Sequence, residues 1–563
     1  MTGRASAPPP AHTLTATATL DEAALRGGVV EGATIAPAVF PVPREDSPPA
    51  RRFAARPAIS GALATLRERA AERLLALLPL TLSLALITSL AWGPLLLPMP
   101  VAVLLLGFDL YWAWRSFNTA VHVVKGHRIM RLAERTDWRA TYDAAIAAGV
   151  PALDWDDVRH VVIIPNYKER PEKLRATLQR LAECDGARKQ IIPVLAMEQA
   201  EPGCADKAAA LIAEFGQCFP AMVATYHPDD IQGEVRGKSS NEAWAARRVE
   251  RFLTDDLGLD LRSVTVTSCD ADTLFHRRYF AALTYAFATH PQRYRRFWQA
   301  PILLYNNIWE VPAPLRLPNG LGSLNHIARL ARKHRIIFPQ SCYSLSYVMA
   351  REVGYWDVDV VPEDWHMYLK CFFRLGGAVD VEPLYLPVGN DGVRTGSYFR
   401  TFVEQYRQAR RHAWGATDIP YAIRQCLRSP GIPLVKRVRR TWTVLETHVL
   451  WASQWWLITV GRFIPFVTVG VFGVGWWPHW FDDLSVRILF PCMGPLIVMV
   501  WYDSFVMRPA RPASFPRWMY IVQFAQWFAM APITFLFTAL PALDAQVRLA
   551  LGKRLEYRVT EKA

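Results

Sequence analysis

A mainly parallel α/β domain set between α-helical membrane-spanning segments is the fold class this sequence predicts, on three observations. Short apolar, β-branched runs at 161–164, 191–195 and 264–268 alternate with helix-like stretches such as 171–183 and 241–252. That rhythm is the mark of strands joined by crossover helices. Apolar runs long enough to cross a bilayer core stand on both sides of it. The chain of 563 residues also carries 21 Trp and a net charge of +14. This suits rings seated at membrane–water interfaces and contact with anionic lipid or anionic substrates.

Residues 1–60 are rich in Ala, Pro and Thr without apolar periodicity and read as a disordered tail. The first long apolar run starts too far along the chain to be a secretory signal. That run, 74–92, breaks at Gly93-Pro94 and resumes over 99–114, so residues 61–118 read as a transmembrane hairpin of two spans. Arg67, Arg69 and Arg73 precede it, and Arg115, Lys125, Arg128 and Arg131 follow, which places both ends in the cytoplasm. Asp109 within the second run is expected to face a helix or headgroups rather than lipid. Residues 119–154 read as a helical connector and 155–430 as a cytoplasmic globular domain. A basic belt (Lys436, Arg437, Arg439 and Arg440) opens a C-terminal interfacial and transmembrane region, 431–543. Its runs at 450–474, 484–506 and 519–540 give three spans, or four if Pro532 turns the last into a re-entrant hairpin. The loop 476–480 with Asp482 and Asp483 lacks Lys and Arg and should be external; Arg508, Arg511 and Arg517 mark an internal loop. Residues 544–563 read as a cytoplasmic tail. The whole reads as a multi-pass protein of the inner membrane. Eight cysteines without a C-x-x-C pair fit a reduced cytosolic setting. No zinc-finger spacing, basic zipper or RNA-binding aromatic signature supports nucleic acid as the partner of the positive charge.

Several polar groups follow apolar runs, where strands of such a sheet open into a crevice. Run 264–268 ends at Cys269-Asp270-Ala271-Asp272, and two carboxylates spaced by one residue can hold a hard divalent cation against a diphosphate. The same acids could instead cap a helix N-terminus. Run 161–164 ends at Pro165-Asn166-Tyr167-Lys168-Glu169, and 191–197 ends at Glu198. Arg236-Gly237-Lys238 joins a glycine and cations to the start of a helix, which suits a phosphate. Val360-Val361-Pro362-Glu363-Asp364-Trp365 again delivers adjacent carboxylates, which could also simply favour a helix first turn. His276, just past Asp272, is either a further metal ligand or a capping and packing residue. No P-loop pattern occurs.

With these motifs in this order, residues 161–415 resemble the membrane-embedded inverting glycosyltransferases of family 2, which include cellulose, chitin and hyaluronan synthases. The resemblance implies a GT-A fold, a Rossmann-like arrangement held between transmembrane segments. It implies contacts from Tyr167, Glu169 and Glu198 to the nucleotide and from Lys238 to the diphosphate. Asp270 would touch ribose or metal and Asp272 would bind Mg²⁺ or Mn²⁺. Asp364 would be the catalytic base beside Glu363, with Trp365 near the acceptor. Gln408 and Arg411 resemble part of the family's Gln-x-x-Arg-Trp, Arg411 pairing with diphosphate. His412 stands where Trp is expected, and Trp414 two positions on is the candidate acceptor-stacking ring. Asn166 and Lys168 also depart from the family's commoner Thr and Asn. The implied activity moves a sugar from a nucleotide-diphosphate donor, a UDP-sugar by analogy, to a glycan or lipid acceptor, with polysaccharide synthesis as one outcome. Single addition to a polyprenyl phosphate or other glycolipid is the alternative, and a nucleotide-binding transporter the rival from another class.

Overall fold

A seven-stranded sheet carries the α/β domain. The computed structural model describes residues 62–333, 336–461, 463–516 and 518–553; the expected 1–60 tail lies outside them. The strands are β1 (Arg159–Asn166), β2 (Ile191–Glu198), β3 (Val223–His227), β4 (Val264–Ser268), β5 (Arg296–Gln299), β6 (Tyr343–Ser346) and β7 (Asp380–Pro383). Their spatial order is β3-β2-β1-β4-β6-β5-β7. Strands β1 to β4 pair in parallel, β6 runs antiparallel to both β4 and β5, and β7 is parallel to β5. The sheet is therefore mainly parallel, as the alternation of runs predicts.

Apolar, largely β-branched runs make β1, β2 and β4 because both faces of the sheet are covered. Val161 and Ile163 of β1 pack on one face with Phe252, Trp356 and Tyr368. Val162 and Ile164 pack on the other with Leu174, Leu178 and Phe280. Chain order reverses between β1 and β4, one leading to β2 and the other to β6. Such a switch point opens a crevice at the strands' carboxyl ends. Loops after β1 and β4 meet there.

The flanking regions are helical. The first helix, α1 (Ala62–Leu96), continues through Gly93-Pro94, and the break expected there falls at Leu97 instead. Pro98 disfavours helical backbone at the residue before it. Gly93 has a packing role: a Cβ there would lie 2.7 Å from Val101, so its bare backbone lets the two helices close up. The second helix, α2 (Pro98–Arg135), runs past residue 119, so the expected connector begins inside it. Asp109 is buried on α2 and accepts a 2.6 Å bond from the Ser485 hydroxyl, facing a helix as expected.

Near the C-terminus the expected run 519–540 is divided. One helix spans Met519–Phe528, and the next begins at Met530 with Pro532 in its first turn, a position where the missing N–H costs nothing. The last helix, Leu540–Ala550, carries order into the segment expected to be a tail. Among the described residues, Ala70–Leu96, Trp480–Met507 and Met530–Ala550 are long and apolar enough to cross a membrane. Leu434–Val460 and Phe463–Val471 make a further candidate as a pair bent by 49°.

Candidate active site

Four more helices set the site's walls: α3 (Lys238–Arg251), α4 (Ala313–Ala331), α5 (Glu363–Arg374) and α6 (Tyr398–Ala413). They surround, with the strand ends, a cavity of about 760 Å³. Tyr167, Glu169, Glu198, Lys238, Asp270, Asp272, Glu363, Asp364, Trp365, Gln408 and Arg411 all line it, so residues from separate motifs share one hollow. Trp414 does not. It is buried against Ala452, Ala542 and Ala545, while Trp451 of the same cluster lines the cavity. His276 is also off the wall, its Nδ1 taking the backbone N–H of Arg278 at 3.2 Å.

Lys238 joins the two acidic motifs. As the first residue of α3 it projects its ammonium to Glu363 Oε1 (2.8 Å) and Asp270 Oδ1 (3.2 Å), with Glu242 Oε1 at 3.9 Å. Burial alone would favour the neutral amine, but Asp270, Glu363 and Glu242 together hold Lys238 charged well above the ordinary lysine range. Glu242, four residues on along α3, is fully buried; its Oε1 accepts from the Ser268 hydroxyl at 2.6 Å. Burial, with Glu363 and Asp270 nearby, lifts its carboxyl to about 8. Sequence reasoning missed Glu242, although its i,i+4 spacing from Lys238 puts both on one helix face.

Ser341 ties both acidic motifs to the lysine. Its hydroxyl donates to Asp270 Oδ2 (2.6 Å), its backbone N–H to Asp364 Oδ2 (3.2 Å), and its carbonyl accepts from Lys238 Nζ (3.0 Å). It does so with φ of +53°, in the left-handed region that non-glycine residues seldom adopt. Such conformations persist where surrounding contacts hold them, as here on three sides. Asp364 Oδ1 also takes the backbone N–H of Trp365 at 2.8 Å. Burial and the adjacent Glu363 raise its carboxyl to about 7.

The remaining wall is built by loops. Asn390 donates to Asp270 Oδ2 (3.2 Å), and the Asp391 N–H donates to Asp272 Oδ2 (2.8 Å). This loop follows a two-residue strand and left no signal in the sequence. Glu198 faces the His227 imidazole at 3.0 Å, which Glu234 flanks at 3.0 Å on its other nitrogen. Burial opposes charge on His227, but the two acids raise it to about 9. Near Tyr167, Glu201 accepts from Asn166 and the Lys168 N–H and pairs with Lys207. Trp365 stacks on Phe338 at 4.5 Å.

Among the described residues no group of three or more His, Cys, Asp or Glu side chains is placed to cage a metal ion. The donor set fits a different mode. Asp270 and Asp272 offer hard carboxylate oxygens on the cavity wall, and Mg²⁺-type sites use one or two such groups with water and substrate phosphate oxygens.

Residues 265–507 match the family model described as Glycosyl transferase family group 2. No curated protein matches the chain. Among solved structures, the mannosyltransferase PcManGT from Pyrobaculum calidifontis in complex with GDP-Man and Mn²⁺ is similar at 13% identity and a TM-score of 0.38. That likeness covers 77% of this chain and 100% of that one. S. aureus TarS 1–349 in complex with UDP is similar at 9% identity and a TM-score of 0.30, over 71% of this chain and 94% of that one.

Proposed function

We propose that this chain, whose residues 265–507 match the family group 2 glycosyl transferase model, is a glycosyltransferase that moves a sugar from a nucleotide-diphosphate donor to an acceptor hydroxyl with inversion at the anomeric carbon. One observation carries the reading: Lys238 bonds at once to Glu363, Asp270 and the Ser341 carbonyl, beside Asp364, in a single cavity. Base and diphosphate partner then flank one reacting centre, as in-line displacement needs.

Asp364 takes the proton of the acceptor hydroxyl as its oxygen bonds to the anomeric carbon. The electron pair of the broken C–O bond leaves on the diphosphate. Lys238, at the N-terminus of α3, and Arg411 place positive charge where that charge accumulates. Asp270 and Asp272 would hold Mg²⁺ or Mn²⁺ with the phosphate oxygens; a bound cation supplies further charge neutralisation there. Tyr167, Glu169 and Glu198 are placed for the nucleoside of a UDP-sugar. Gln408 joins the donor-binding residues, and Trp365 serves the acceptor. A glycan or a lipid-borne sugar fits as acceptor, with the catalytic domain cytoplasmic. The position of Trp414, off the wall, favours single addition over a processive polymerase.

The test incubates purified full-length protein with radiolabelled nucleotide sugars and Mn²⁺, then sizes the products. One sugar should be added per acceptor rather than a ladder. Asp364→Asn should lower turnover by a factor of ~10² to 10⁴ while donor affinity stays within about twofold. Unchanged turnover in that variant sinks the assignment.

A further inference from the structure

Charge along the cavity is segregated. The acids on its wall stand at strand ends and the loops beside them, together with Glu363 and Asp364 at the start of α5. The stretch supplied by α2, α4 and α7 (Leu434–Trp455) presents Arg115, Arg329 and Arg332, and no acid from these helices lines it. On α4 the polar residues recur as Asn319, Asn325, His326 and Arg329, one face of a helix at 3.6 residues per turn. Thr119 links the stripe to α2: its hydroxyl donates to the Arg115 carbonyl at 2.7 Å and accepts from the Arg332 guanidinium.

Exposed apolar surface lies beside this basic stretch. A hydrogen bond from Tyr111 to Glu446 (2.6 Å) bridges α2 and α7. One turn from that bridge on each helix, Arg115 and Thr443 line the cavity. Both helices lead from there toward the α/β domain, where Arg440 donates to the Tyr368 hydroxyl at 2.9 Å. The neighbours of the two lining residues point outward and are exposed: Trp114 (59%) and Phe117 on α2, Trp442 (60%) and Val438 on α7. A cationic interior therefore sits directly behind an exposed apolar and indole belt, the arrangement expected at a membrane–water interface.

We infer that the acceptor is a saccharide joined through phosphate to a membrane lipid, entering sideways between Arg115 and Thr443. The inference rests on the sugar-transfer reading and names its acceptor class. The phosphate lies along Arg115, Arg329 and Arg332, whose guanidinium forks match phosphate oxygens. The alkyl chain stays outside against Trp114 and Trp442. The saccharide reaches past Ile336, Phe338 and Gln340, which also line the cavity, to Asp364. There its hydroxyl oxygen forms the new bond, its proton passes to Asp364, and the donor diphosphate departs. A neutral glycan would find hydrogen-bond donors in a row of guanidinium groups but no use for their charge, whereas a phosphate uses both.

The test places full-length protein in phosphatidylcholine nanodiscs with its best radiolabelled donor and three acceptors bearing the same hexose. One is joined to a long alkyl chain through phosphate, one to the same chain through an ether, and one is a water-soluble hexose phosphate. The phosphate-linked lipid should show a KM at least tenfold below the other two. Arg115→Gln with Arg329→Gln should erase that preference, and Lys at both positions should restore most of it. Neither residue is fully buried, and a melting curve for each variant separates misfolding from lost recognition. Equal KM for both alkyl acceptors, or a preference that survives the double Gln variant, overturns the lipid-phosphate assignment and leaves sugar transfer standing. A soluble hexose phosphate used as well as its lipid form overturns lateral entry. Failure of every acceptor with every nucleotide sugar removes the transfer reading itself.

Discussion

Glu363 and Asp364 are consecutive, yet their partners set them apart. Glu363 is ion-paired to Lys238 at 2.8 Å, whereas Asp364, among the described residues, accepts hydrogen bonds from the neutral backbone N–H groups of Trp365 and Ser341. Two neighbouring carboxylates in unlike surroundings are the usual way of separating a base from a structural acid. Asp364 is lifted to about 7 by burial first and by Glu363 second. A raised carboxyl is protonated below its pKa, and a base must be ionised. So kcat/KM should rise with pH and reach half its maximum near pH 7. Glu363→Gln removes the neighbouring charge and should move that rise to lower pH, read from paired pH–rate profiles. A rise that stays in place would separate it from Asp364. Both acids were legible in the sequence because an apolar run delivers them to a loop. The strained backbone of Ser341, which joins them to Asp270, was not, since a left-handed serine has no signature of its own.

Among the elements, α5 matters most because its first turn presents Asp364, the proposed base. A buried clamp holds that turn: His366 bonds to Asp418 at 2.7 Å and to Asp357 at 3.0 Å, and Lys370 reaches Asp357 at 2.6 Å. Burial disfavours the imidazolium, but Asp418 and Asp357 outweigh it and raise His366 to about 9. The sign follows from linkage: a group bound more tightly to its proton when folded stabilises the fold below its unfolded pKa of ~6.5, and that contribution is lost as pH rises toward 9. For His366 it amounts to about 3 kcal/mol. His227, raised to about 9 between Glu198 and Glu234, acts in the same direction. Melting temperature should therefore fall between pH 6.5 and 9, and His366→Gln should melt lower at pH 6.5 and lose less across that window. An identical pH slope in variant and parent would contradict the clamp. The strands leading to the site were readable because burial on both faces demands β-branched runs. The antiparallel β6 and the 390–392 loop were not, being too short for periodicity. Helix ends were displaced for local reasons, Pro98 setting one and the Met530 restart another.

For the molecule as a whole, helices long and apolar enough to cross a membrane were legible because apolar length is a strong signal. Where each helix ends is set by packing and local backbone chemistry, which apolar length does not encode. What the assembled cavity adds is a conflict of charge. Asp270, Asp272, Glu363 and Asp364 line the end proposed to receive a diphosphate, and Lys238 is already engaged by two of them. At a few ångströms each like-charge pair costs ~1 kcal/mol even in bulk water and several times that in a partly enclosed cleft. A donor diphosphate should therefore bind poorly unless a divalent cation accompanies it. Removing divalent ions with EDTA should weaken nucleotide-sugar affinity at least tenfold in a titration that needs no turnover, with Mn²⁺ or Mg²⁺ restoring it. Asp272→Asn should blunt that restoration while removing some of the repulsion, so its metal-free affinity should be no worse than the parent's. If chelation leaves donor affinity untouched, Lys238 and Arg411 suffice for the diphosphate, and Asp270 and Asp272 serve only to hold Ser341, Asn390 and the 391 backbone in place.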